Sequence, residues 1–290
     1  MPNILITGSK GQVGSELQAL HLQYPLYKWV FTDKEELDIT DAQAVQQCIK
    51  QHKPTWIINA AAYTAVDKAE TEQTLAYALN ADAVKNLAQA AYQHNAAFIH
   101  ISTDYVFDGK NKIPYTETDT PNPNSVYGAS KLLGEQYAIA ENPSSIIIRT
   151  SWVYSEYGKN FVKTMMRLMQ EKDKISIVND QQGCPTYAAD LAKAIINVIV
   201  CCDTKNIMPS GIYHYCNTGI ITWYDFAVAI KAMIKSNCDI EAISTEQYPT
   251  PAKRPVYSAL NTNKICRTFA IQISHWKQRL NDGIQKFGIQ

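Results

Sequence analysis

Seven residues, Gly8-Ser9-Lys10-Gly11-Gln12-Val13-Gly14, stand between the strand-length apolar run Asn3-Ile4-Leu5-Ile6-Thr7 and the apolar helix positions Leu17 and Leu20. Three glycines at that place leave the chain little choice. The backbone must leave a buried strand, turn sharply and enter a helix, and residues without a Cβ let the turn lie against another segment or a phosphate. A pyrophosphate over such a turn faces free N–H groups at a helix N-terminus. A second strand ends at Asp33, nineteen residues past Gly14, close to the roughly 20-residue spacing at which an acid reaches the adenosine ribose of a dinucleotide. Strand, glycine turn, helix, strand and acid together predict a Rossmann-like α/β fold, a doubly wound parallel sheet. Gly8, Lys10, Gly11, Gln12, Val13, Gly14 and Asp33 are its expected dinucleotide contacts.

The rest of the first half fits that fold. Short β-branched runs near Asn3 to Thr7, Trp29 to Thr32, Trp56 to Asn59, Ala97 to Ile101 and Ser145 to Arg149 alternate with helix-length stretches. The clearest helix is predicted over about Thr74 to His94, with Leu75, Leu79, Ala83, Leu87 and Ala91 at helical spacing. Beyond Thr150 the pattern is less regular, with helices expected near Asn160 to Glu171, Ala188 to Ile199, Trp223 to Ser236 and His275 to Phe287. Thr222 with Asp225 reads as a capping pair and Ser274 as an N-cap. We divide the chain into a dinucleotide-binding domain, 1–150, and a smaller mixed α/β substrate-binding portion, 151–290, with about 174–200 returning to the first.

Composition removes several classes of function. Acidic and basic residues are equal in number, 27 each, with no Lys/Arg cluster, so the electrostatic attraction that dominates nucleic-acid binding is missing. No apolar run approaches the roughly 18 residues of a membrane span, and the N-terminus lacks a basic region or cleavage site, so the expected location is the cytoplasm. The seven cysteines are scattered, with no CxxC and no zinc-like spacing, and are expected to be reduced and structural. No metal site is expected.

Tyr127 and Lys131 lie four residues apart on a helix expected to begin near Val126. Reduction of a ketone needs a proton for the oxygen as hydride reaches the carbon, and a tyrosine can supply it. A nearby ammonium and a nicotinamide are expected to lower the phenol pKa, and the lysine can also hold ribose hydroxyls. Thr103, in Ser102-Thr103-Asp104 at the end of the fourth strand, sits at the edge where open α/β sheets bind ligands. Its hydroxyl can bond a substrate carbonyl. The segment from Ser102 to Val126 is too long for a plain connection and reads as functional. Asp38 and Ile39 are candidates to line an adenine pocket, and Ala60-Ala61-Ala62-Tyr63-Thr64 to let a cofactor approach the backbone. Asp33 disfavours a 2′-phosphate while Ser9 and Lys10 offset that, so NADH and NADPH both stay open.

With these residues in place the chain resembles the dTDP-4-dehydrorhamnose reductases, which belong to the extended short-chain dehydrogenase/reductases and make dTDP-L-rhamnose in bacteria. The similarity runs through Gly8 to Gly14, Asn59 to Glu70, Ser102 to Phe107, Tyr127 to Lys131, Arg149 to Tyr154, Asn160-Phe161, Asn179 to Gly183, and Pro251 to Pro255 before Ser258. It implies a triad of Thr103, Tyr127 and Lys131, with Tyr127 protonating the C4 oxygen while NAD(P)H delivers hydride to C4 of dTDP-4-dehydro-L-rhamnose. Cofactor contacts would include Ala61, Ala62, Tyr63 and Thr64. The resemblance also implies that Thr103 and Asp104 touch the sugar, Trp152 packs beside it, and Arg254 meets the diphosphate.

Some members of that family bind Mg²⁺ through glutamates at a dimer interface. This chain has Glu16 in the first position but Ala189 in the second, so no metal-linked dimer of that kind is expected, and a monomer or weak homodimer is. A 4,6-dehydratase would carry Thr-Asp-Glu after the fourth strand, where this chain has Tyr105. A 4-epimerase of the same fold, and a non-catalytic subunit resembling the methionine adenosyltransferase beta subunit, remain as alternatives.

Overall fold

The protein is described here by a computed structural model that covers residues 2–287. In chain order the elements are β1 (Asn3–Thr7), α1 (Gln12–Leu20), β2 (Lys28–Thr32), α2 (Ala42–His52), β3 (Trp56–Asn59), α3 (Val66–Ala69), α4 (Gln73–Tyr77), α5 (Ala83–Gln93) and β4 (Ala97–Thr103). Next come α6 (Val126–Glu141), β5 (Ile146–Thr150), β6 (Val153–Tyr154), α7 (Phe161–Glu171), β7 (Lys174–Val178), β8 (Gln182–Gly183), β9 (Thr186–Tyr187) and α8 (Ala188–Lys205). The chain continues through β10 (Gly211–His214), β11 (Ile221–Thr222), α9 (Trp223–Ile234), β12 (Asp239–Ile243), α10 (Asn263–Phe269) and α11 (Trp276–Lys286).

Six parallel strands form one sheet in the order β10-β5-β4-β3-β1-β2. Its strands are nearly continuous apolar runs because helices cover both faces. Ile4, Ile6, Ile58, Ile99 and Ile148 pack with Leu17 of α1 and Leu191 and Ile195 of α8 on one side. Leu5, Ile57, Phe98 and Ile147 pack with Val45 of α2, Leu87 of α5 and Ala138 of α6 on the other. The chain reverses direction between β1 and β3, which opens a crevice at the carboxyl ends of those strands, where this architecture binds ligands.

A second lobe is built around Val162, Met165, Met169, Ile175, Phe226, Trp276 and Leu280. The stretch of about 174–200, expected to return to the first domain, divides between the two. β7 buries only alternate residues and pairs with β12 in a separate two-stranded sheet, whereas α8 packs on the main sheet. The sixth strand of the main sheet, β10, comes from beyond residue 150.

Two local expectations need correction. The predicted helix over Thr74 to His94 is interrupted by a π-helical turn, Ala78–Asp82, whose extra residue shifts the phase. The buried stripe runs through Ala76, Asn80, Val84 and Leu87, and Leu75 is exposed. The last helix is capped by His275, which accepts from the Lys277 N–H, and not by Ser274. The Ser274 carbonyl already accepts from the Thr218 N–H, which keeps that residue extended. The Thr222–Asp225 capping box forms as read, and Asn160 caps α7.

α6 is fastened to the sheet by a buried ion pair. Arg149 of β5 donates through Nε and Nη2 to the two carboxylate oxygens of Glu135 at 2.9 and 2.6 Å, and the Ser102 hydroxyl of β4 donates to the same carboxylate at 2.5 Å. Breaking such a pair on one side leaves an uncompensated buried charge. Glu135→Ala is therefore expected to lose about 3–5 kcal/mol of stability in urea unfolding, whereas Glu135→Leu with Arg149→Met is expected to lose much less.

Candidate active site

The glycine turn is shaped by what lies across the crevice. Gly8 has φ +69°, and a Cβ there would come within 2.5 Å of the Ala61 nitrogen, so the loop after β1 rests directly on the loop after β3. Gly11 stands at the N-cap of α1 without any side-chain hydrogen bond, leaving the N–H groups of the first turn facing the crevice. The Lys10 N–H donates to Asp33 Oδ2 at 2.9 Å, and the Lys10 ammonium is paired with Glu35. The acid at the end of β2 and the glycine loop thus form one rim. Val13 is buried in the core, and Gln12 accepts from Asn160 at 3.0 Å, tying the rim to the second lobe.

Asp38 is exposed and accepts from both the hydroxyl and the N–H of Thr40, which holds its carboxyl below the usual range. The Ile39 side chain is buried with Leu5 and Val45. Of the two adenine-pocket candidates, then, Asp38 lies on the surface and Ile39 has only its backbone left to offer. Ala61, Ala62, Tyr63 and Thr64 lie on the opposite side of the crevice, with the Tyr63 N–H held by Asn80 Oδ1 at 2.9 Å.

The polar triad meets at the carboxyl edge. β4 ends at Thr103, whose Oγ1 accepts from the Tyr105 N–H and donates to Asp104 Oδ1 at 3.1 Å. α6 begins one residue after its N-cap, Ser125, and Glu70 also accepts from the Val126 N–H. Tyr127 and Lys131 follow on successive turns. A Cβ on Gly128 would fall 2.2 Å from the Tyr105 carbonyl oxygen, so α6 lies flush on the turn after β4, and the Tyr127 ring meets Tyr105 edge to face with centroids 5.5 Å apart.

Burial pushes the Tyr127 phenol up to about 12. Lys131 is itself buried, and desolvation pushes its amine down to about 7 despite the opposing charge of Glu135. Its Nζ donates to the Ile101 carbonyl at 2.7 Å and lies 3.2 Å from His100 Nε2. A phenol so placed keeps its proton at neutral pH. Asp104 is buried, its Oδ2 has no hydrogen-bond partner, and burial raises its carboxyl to about 6.

Trp152 belongs to the second lobe. Trp152 has φ +49°, a conformation a bulky residue rarely adopts. It is held there by stacking on Trp223, ring centroids 3.5 Å apart, and its indole covers Gly183. Arg254 makes a two-pronged pair with Asp67, at 3.0 and 2.8 Å, which keeps the Asp67 carboxyl low. Its charge also acts on Tyr105, next to Tyr127.

Several residues that organise this site escaped sequence reasoning. Asn80 bonds both the backbone of Tyr63 and the Ser130 hydroxyl, so it ties α6 to the cofactor-side loop. Its signal was a single amide among buried apolar helix positions. Asn59, His100 and Glu135 are buried polar groups in otherwise apolar runs. Glu16, meanwhile, accepts from the Ser155 hydroxyl at 2.7 Å, and Asp190, beside Ala189, is paired with Arg279.

Comparison with known proteins agrees with this layout. Residues 2–289 match the family described as RmlD substrate binding domain. The chain is 44% identical over 288 residues to a dTDP-4-dehydrorhamnose reductase of Aggregatibacter actinomycetemcomitans, covering 97% of this chain and 98% of that protein. A crystal structure of a dTDP-4-dehydrorhamnose reductase from Clostridium acetobutylicum superposes with a TM-score of 0.92 at 44% identity, over 98% of this chain and 99% of that one. Another, from Bacillus anthracis in complex with NADP, gives 0.93 at 40% identity, over 99% and 100%. A glycine rim facing a polar edge, under a lobe that matches throughout, places this chain in the RmlD family together with the dTDP-4-dehydrorhamnose reductases.

Proposed function

We propose that this protein reduces the C4 ketone of dTDP-4-dehydro-L-rhamnose to dTDP-L-rhamnose, using NADPH or NADH, in the cytoplasm and as a monomer or weak homodimer. The observation that carries this reading is the convergence of Thr103, Tyr127 and Lys131 on one edge, across the crevice from the glycine rim. Bound dinucleotide would supply the hydride to C4. The Thr103 hydroxyl orients the carbonyl oxygen, and Tyr127, protonated at neutral pH, transfers its proton to that oxygen as the alcohol forms. Lys131 is placed to hold the ribose hydroxyls. Asp104 offers its unpaired Oδ2 to a sugar hydroxyl, the Trp152 indole lies over the 6-deoxy face, and Arg254 meets the diphosphate.

The direct test supplies purified protein with the keto sugar and each reduced dinucleotide, and follows loss of the reduced-nicotinamide absorbance. Substrate-dependent oxidation with dTDP-L-rhamnose as product is expected. Dinucleotide binding without consumption would sink the reading and favour a non-catalytic role, and stoichiometric tightly held NAD⁺ would favour an epimerase. Tyr127→Phe is expected to lower kcat by about 10²–10⁴.

Asp104 makes a separate prediction. Its folded pKa of about 6 exceeds the unfolded value near 3.9, so its contribution to stability is present below about pH 4 and lost as pH rises through about 6. Thermal unfolding across pH is expected to show a loss of about 3 kcal/mol over that window, absent in Asp104→Asn. The same variant is expected to raise KM for the sugar.

A further inference from the structure

Two backbone groups hold the Asp33 carboxylate at the end of β2. Oδ2 accepts the Lys10 N–H at 2.9 Å, and Oδ1 accepts the Lys34 N–H at 2.9 Å. These bonds fix the plane of the group, and each oxygen keeps a second lone pair for a ribose hydroxyl. A 2′-phosphate in place of one hydroxyl brings about two negative charges and no donor to that spot. It needs a cation. Lys10 is the one charged residue of the turn from Gly8 to Gly14, and its ammonium is already engaged. It pairs with the Glu35 carboxylate and lies 3.7 Å from Glu36 Oε1. The two acids are not held alike. Glu36 Oε2 accepts the Asp33 N–H at 2.9 Å, which anchors that carboxylate to the end of β2 whatever Lys10 does. The Glu35 side chain is 73% exposed, and among the described residues its carboxylate has no side-chain partner but Lys10. The charge of Lys34, the next cation along the chain, acts on Asp38.

We propose that Glu35 is a specificity-determining residue, which weakens binding of a 2′-phosphate, and so of NADPH relative to NADH, by occupying the Lys10 ammonium. A phosphorylated ribose must draw Lys10 away from Glu35 and then sit beside the carboxylate it has stranded. An unphosphorylated ribose bonds Asp33 and leaves the pair intact. Glu36, tied to the Asp33 backbone, adds a fixed repulsion that neither dinucleotide removes. Lys10 and Glu35 are both exposed, and pairs of that kind are weak and screened by salt. The effect is therefore an adjustment of preference, with both dinucleotides still able to bind. This role rests on the dinucleotide reading of the crevice but not on turnover.

The test measures binding alone, with dissociation constants for NADPH and NADH taken by calorimetry on the full chain at low ionic strength. In Glu35→Gln, NADPH is expected to bind about three- to tenfold more tightly, with NADH changed by less than about twofold. The gain is expected to shrink in about 0.5 M salt. It is also expected to vanish when Glu35→Gln is combined with Lys10→Met, which keeps the backbone N–H on Asp33 and removes only the charge. That double variant separates release of Lys10 from the mere loss of a negative charge. An unchanged ratio of the two constants in Glu35→Gln, or a gain that survives removal of Lys10, overturns the proposal. Failure of the native chain to bind either dinucleotide overturns it together with the reading of the crevice. The expected shifts in binding without any consumption of reduced dinucleotide would support the role of Glu35 while the reductase activity fails.

Discussion

The site depends on how closely α6 can lie against the edge of the sheet. Two things fix that distance, the missing side chain at Gly128 over the Tyr105 carbonyl and the buried Glu135–Arg149 pair one turn beyond Lys131. Because Glu135, Lys131 and Tyr127 follow at intervals of four residues on one helix, clamping the last of them to β5 and β4 sets the height of the other two. A buried ion pair is weak evidence for stability on its own account. Here it defines a position, since an apolar replacement would pack at more than one depth and the fork of Arg149 does not.

The second lobe is joined to this frame by polar links as much as by apolar packing. Gln12 of the glycine loop bonds Asn160 at the start of α7, Glu16 bonds Ser155, and Asp67 bonds Arg254. Val106, Phe107 and Tyr115 of the long segment that follows β4 pack with Cys184, Cys216 and Tyr257 in a small separate core. The length of that segment therefore has a structural account, because it supplies three residues of that core. No described helix is long and apolar enough to cross a membrane.

Much of the frame was legible because each strand carries a long buried run and each turn its own chemistry. The glycine rim, the strand ends at Asp33 and Thr103, and the pair Tyr127 and Lys131 were all found from residue type and spacing. What escaped detection depends on contacts between distant segments. The π turn at Ala78–Asp82 reflects Asn80 turning inward to Tyr63 and Ser130, a demand no local pattern announces. The burial of Tyr127 and Lys131 could likewise not be read from their spacing. Spacing shows that two groups are neighbours, but their pKa values follow how deeply each is buried.

On the proposed role of Arg254 at the diphosphate, its pair with Asp67 alters what that group can recognise. A guanidinium facing water would draw in any small anion, but this one already has a carboxylate in its fork at 2.8 and 3.0 Å. An incoming group gains only the difference between its own fit and that of Asp67. Chloride or a lone carboxylate gains little by the exchange, whereas a group with several oxygens can share the fork and keep further partners. The chain thus carries its own competitor, which sets a threshold of charge and shape below which anions pass the site by.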